Sequence, residues 1–224
     1  MTILSTMVSS SKSQGDYSWI NEIMGQVKDL ILQCPFFTLE SDNNPGDGAV
    51  GRTISFTTPG RKLRLTYNSS SKTSFYSQVR NAADTSYADQ SSISVSNGVS
   101  IRLCYDSDSC FCNQTTSVIF VGLTTSDAEF VLGLSPSSSY MPNLDKYYTP
   151  NPTGGYTRKA DDKYVLVPAR CYSSLTTRLE NTKTFNNLFV CGVAFTTGNI
   201  YNDGTYNYIA VNLTGFVGFI RLSD

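Results

Sequence analysis

The chain contains no histidine, only four glutamates (Glu22, Glu40, Glu129 and Glu180), and charged residues make up just 16% of it. Each shortage excludes something. Without an imidazole, a Ser or Cys nucleophile has no standard general base, and zinc loses its commonest nitrogen ligand. Scarce Glu and sparse Ala argue against a helical protein, which draws heavily on both. Basic residues are scattered and the net charge is −1, so no cationic stripe exists to displace counterions from duplex nucleic acid. No segment approaches the roughly 20 apolar residues of a membrane helix. Met1–Val8 lacks the positive n-region and apolar run of a signal peptide. The expectation is a soluble chain without a nucleic-acid or membrane partner and without an N-terminal export signal.

Six cysteines are present, at 34, 104, 110, 112, 171 and 191. An even number permits disulfides, but 224 residues can bury a core without them. Cys110-Phe111-Cys112 has a one-residue spacer, whereas zinc pairs use two to four. They read as structural thiols, with a disulfide left open.

What is abundant points to strands. Fourteen Tyr, twelve Phe and many Thr, Val and Ile suit a pleated surface, and Ser, Asn, Gly and Asp supply turns. The predicted fold is mostly β, an antiparallel β-sandwich or distorted barrel with one N-terminal amphipathic helix. Residues 1–15 are Ser-rich and aperiodic and read as a flexible arm, or as an arm that orders only on a neighbouring subunit. Residues 16–224 read as a single β-rich domain that opens with a helix over 16–34. Ile20, Ile23, Met24, Val27, Leu30, Ile31 and Cys34 form one apolar stripe at helical spacing, Asp16 or Ser18 can cap it, and Pro35 ends it. That stripe packs either on the chain's own sheet or on a partner subunit.

Beyond the helix, Pro59-Gly60 predicts a hairpin between Thr53–Thr57 and Lys62–Tyr67, and Asn97-Gly98 predicts another between Ser91–Ser96 and Val99–Tyr105. Phe75–Ala83 is ambiguous between helix and strand. Asp106–Cys112 reads as a polar tip. Further strands are expected at Ser117–Leu123, Glu129–Leu134, Lys163–Val167, Leu188–Phe195, Tyr206–Asn212 and Phe216–Leu222, with a turn at Asp203-Gly204.

Several motifs imitate chemistry. Gly46-Asp-Gly48-Ala-Val-Gly51-Arg52 fits the glycine spacing of a phosphate loop, but that loop must open a helix, and a strand follows here. Asp106-Ser-Asp108-Ser resembles the start of a calcium loop without its Gly and terminal Glu. Asp106, Asp108, Asp127, Glu129, Asp161 and Asp162 could supply a glycosidase pair, yet such residues more often form turns. Asn68, Asn113 and Asn212 head glycosylation triplets that the absence of a signal peptide leaves unused. No catalytic residue, cofactor site or metal ligand is assigned. The long loop 135–162 carries Tyr140, Tyr147, Tyr148 and Tyr156, rigid rings suited to protein contact or to stacking on a sugar.

Three segments resemble bacteriophage virion structural proteins of the tail, neck and baseplate type. They are Trp19-Ile-Asn-Glu-Ile-Met-Gly-Gln-Val-Lys-Asp-Leu30, Ser117-Val-Ile-Phe-Val-Gly-Leu-Thr124 and Gly215-Phe-Val-Gly-Phe-Ile-Arg-Leu222, about an eighth of the chain together. The resemblance implies a non-enzymatic component of a virus particle, made in the host cytoplasm. Its partners would be copies of itself in a symmetric assembly and other virion proteins. The candidate interface residues are Trp19, Ile20, Ile23, Met24 and Val27 with the four loop tyrosines. The alternative is an attachment module that recognises a surface glycan or receptor through those aromatic residues.

Overall fold

The computed structural model describes residues 1–114, 117–124, 130–133, 167–171, 183–191, 195–212 and 217–222. In chain order, strand β1 (Thr2–Val8) precedes the helix α1 (Tyr17–Ile31). Five strands follow: β2 (Thr38–Asp42), β3 (Thr53–Thr58), β4 (Arg61–Tyr67), β5 (Ser74–Asn81) and β6 (Ala88–Ser94). Then come β7 (Val99–Tyr105), β8 (Ser109–Gln114), β9 (Ser117–Thr124) and β10 (Phe130–Gly133). The last part holds β11 (Val167–Cys171), β12 (Lys183–Cys191), β13 (Ile200–Asn202), β14 (Asn207–Asn212) and β15 (Val217–Arg221).

These strands form three antiparallel sheets of five, none closed into a barrel. The first runs β1-β7-β8-β9-β10, the second β2-β3-β4-β5-β6 and the third β11-β12-β15-β14-β13. The barrel alternative is therefore corrected, because each sheet keeps two outer strands.

The first two sheets and α1 share one apolar core. Ile101, Leu103, Cys110, Cys112, Ile119 and Phe120 of the first sheet meet Ile54, Phe56, Leu63, Leu65, Phe75 and Val79 of the second. Phe37 seals them, its ring 4.6 Å from Phe120 and 6.1 Å from Phe56. Burying each such side chain contributes about 1.5–3 kcal/mol. Buried Ser77 of β5 donates to the Ile119 carbonyl of β9 at 2.9 Å, one polar rivet between facing sheets.

Three sequence expectations change. Residues 2–8 are not a free arm: all seven pair with β7, from Thr2 with Tyr105 to Val8 with Val99. Leu4 and Val8 supply the reason, since both pack into the core and draw the strand onto the sheet. The Asn97-Gly98 hairpin does not form, because β6 pairs with β5 while β7 pairs with β1 and β8. The dipeptide instead turns the chain from one sheet to the other, with Gly98 at φ 83°. Asp106–Cys112 is not a tip alone, for β8 begins at Ser109.

The helix ends at Ile31 rather than at 34, and the chain continues in single turns, with Cys34 N–H donating to Ile31 O at 3.0 Å. Asp16 sits at the cap position, but its side chain makes no capping bond. The Pro59-Gly60 hairpin stands as expected, with Thr58 opposite Arg61 and Gly60 at φ 76°.

Candidate functional site

Trp19, Ile20, Ile23, Met24 and Val27 all lie at 0% exposure in the chain's own core. Of the two destinations open to the helix stripe, these side chains pack on the chain's own sheets. Tyr140, Tyr147, Tyr148 and Tyr156 lie outside the described residues.

The glycine-rich loop is explained by what it packs on. Asn21 of α1 donates through Nδ2 to the carbonyls of Gly46 (3.1 Å) and Val50 (3.2 Å), fastening the loop to the helix. Arg52 then enters beneath it. Its Nε and Nη2 bind the two Asp42 carboxylate oxygens at 2.7 and 2.6 Å, and Nη1 donates to the Asn21 carbonyl at 2.9 Å. Lys28 Nζ adds a third cationic contact to Asp42 at 3.1 Å. Arg52 and then Lys28 hold the Asp42 carboxyl below its ordinary range, against the opposing effect of its burial. A groove of about 400 Å³ lies beside this cluster, lined by Asn21, Lys28, Asp29, Asp47 and Arg52 among others. Its buried cation is already spent on Asp42, so the phosphate-loop imitation is a structural latch.

Asp106 is likewise a turn former. Its Oδ1 accepts from the backbone N–H groups of Asp108 (2.9 Å) and Ser109 (2.8 Å) and from Ser109 Oγ (3.0 Å). Asn187 of β12 donates to the other oxygen, and Asn186 donates to Asp108 at 2.7 Å, joining the third sheet to the β7–β8 turn. Cys34, Cys104, Cys110 and Cys112 are buried. Burial pushes the Cys104 thiol up to about 12 and Cys112 well above its usual value, while a hydrogen bond with Cys110 lowers Cys34.

The feature without an internal explanation is a sheet edge. An outer strand exposes a row of backbone N–H and C=O groups, and proteins blunt such edges with bulges, charges, proline or shortness. Among the described residues, five of the six edges are blunted. β2 is bulged between Leu39 and Ser41 and carries Glu40 and Asp42. The register shifts where β6 meets β5. β11 has both a bulge and Pro168. β13 and β10 have three and four residues.

β1 has none of these devices over residues 2–8; just past its end, Gln26 of α1 accepts from the Ser9 N–H at 3.1 Å and donates to the Ser9 carbonyl at 2.6 Å. The strand runs seven residues in unbroken register with β7, and Thr-Ile-Leu-Ser-Thr-Met-Val contains no charge, proline or glycine. Strand alternation turns Leu4, Thr6 and Val8 toward the core, leaving Ile3, Ser5 and Met7 on the outer face. Met7 is 71% exposed and Ile3 37%. This edge is the candidate functional site.

Sequence reasoning passed over it, although the signal existed: Thr2, Ile3, Thr6 and Val8 are β-branched, a strand composition. The serine run that follows hid it. No protein-family model matches the chain, and no curated protein matches it either.

Proposed function

We propose that this chain is a structural building block of a virus particle, of the bacteriophage tail, neck or baseplate kind, that works by contact rather than by bond-making. Its partners are copies of itself in a symmetric assembly and other proteins of the particle. The single observation that carries this reading is the unblunted β1 edge, a template for strand addition of a kind the other five edges avoid. The virion resemblance of 19–30, 117–124 and 215–222 supports the setting. In this reading the two facing sheets act as a sandwich, and the amphipathic helix serves that core while the strand edge serves the partner.

The test adds the missing gatekeeper. Met7→Lys places a charge on the open edge at a side chain already in solvent. Sedimentation and mass photometry of the chain, alone and with the other particle proteins, should show defined complexes for the natural chain and at least tenfold weaker association for the variant. A strictly monomeric natural chain that ignores every particle protein overturns the proposal.

A further inference from the structure

We infer that the strand added to β1 is β1 of a second copy, antiparallel about a two-fold axis through Ser5, so that two five-stranded sheets become one of ten. The inference rests on the assembly reading above and names its partner.

A two-fold contact must be self-complementary, because each surface meets itself. Rotation about an axis perpendicular to the sheet keeps outer-face residues on the outer face, so only registers pairing odd with odd positions continue both faces. Centring on Ser5 sets Thr2 against Val8, Ile3 against Met7, Leu4 against Thr6 and Ser5 against itself. All seven residues pair, and each exposed apolar side chain finds the other, twice. Moving the axis to Leu4 leaves Met7 without a strand partner, and moving it to Thr6 does the same to Ile3. The Ser5 register is the one that covers both.

Charge permits it. β1 carries none, so no like charges meet across the new seam. The nearest outer-face cation is Arg102, opposite Ser5 on β7. Its two copies stand three strand spacings apart, about 14 Å, which exceeds the screening length of roughly 8 Å at physiological salt. A strand meant for a different protein would gain selectivity from a charge, which here is absent.

Single-cysteine variants read the register directly. Opposite residues of a strand pair have Cβ atoms about 5 Å apart, whereas Ile3 and its own copy would be four residues offset, about 13 Å. Under copper phenanthroline, Ser5→Cys should therefore give a disulfide-linked dimer, with the natural chain as baseline for its own thiols. Ile3→Cys alone and Met7→Cys alone should stay monomeric, and a mixture of the two should cross-link. Equal cross-linking by all three variants, or by none, overturns the inference. If Ser5→Cys fails while Met7→Lys still weakens complexes with other particle proteins, the assembly reading stands and the partner is a different chain. If Met7→Lys changes nothing as well, both fall.

Discussion

At Arg52 three separated parts of the chain meet through one guanidinium, from the helix carbonyl of Asn21 to the Asp42 carboxylate that Lys28 also touches. The side chains of Arg52 and Asp42 are 6% and 12% exposed, so neither charge can be stranded cheaply. Asp42→Asn removes the anion and leaves a buried cation, which should cost about 3 kcal/mol in urea unfolding. The pH dependence follows from the lowered Asp42 carboxyl. Its contribution is complete above the unfolded value near about 4 and is lost as pH falls through the lower folded one. The gap between natural chain and variant should therefore be constant from pH 7 to about 5 and close in acid. Gly25 belongs to the same cluster, since a β-carbon there would land on Arg52 Nη1. Alanine in a helix interior normally gains about 1 kcal/mol over glycine. Here Gly25→Ala should lose about 1–3 kcal/mol by overpacking. In an Arg52→Ala background the sign should revert, and thermal denaturation of the four proteins in this cycle measures both.

Among elements, those whose signals are local were readable from the chain. Pro59-Gly60 and Asp203-Gly204 give hairpins because the turn chemistry closes on itself: Asp203 Oδ1 takes the Thr205 and Tyr206 N–H groups at 2.8 Å each. The α1 stripe was readable too, since its spacing determines which side chains share a face. Its destination was not. Whether Ile20 and Met24 meet a sheet of the same chain or of another depends on tertiary placement. Asn97-Gly98 misled for a related reason. Its turn is real, but Asn97 Oδ1 accepts from Trp19 Nε1 (2.9 Å) and from Ser10 N–H (3.0 Å), and Nδ2 donates to Ser10 O. Those long-range bonds aim the next strand at β1 instead of folding it back. β8 was missed because Cys110, Phe111 and Cys112 are buried on both faces, which erases alternation. Asn97→Ala would leave the buried Trp19 N–H unsatisfied, a cost of about 1–3 kcal/mol. Trp19 is the chain's one tryptophan, so its emission follows the loss in a denaturant titration.

For the molecule as a whole, the contrast among the described residues is between a well-sealed interior and one unsealed margin. The core shared by the first two sheets is closed by rings and aliphatic side chains, and the third sheet is joined to it by polar groups. Arg221 Nε donates to Asn187 Oδ1 at 3.0 Å, and Asn187 in turn donates to Asp106. Against that economy, a seven-residue edge with two exposed apolar side chains is the part that intramolecular stability does not explain.

The long reach of the β1–β7 pairing also sets an order of events during synthesis. Thr2–Val8 leave the ribosome ahead of their partners Val99–Tyr105, which are made roughly a hundred residues later, a delay of about 5–20 s at ordinary elongation rates. Through that interval the same uncharged strand is bare along both margins. Under the two-fold pairing inferred above, neighbouring nascent chains on one messenger would display matching strands before either is complete.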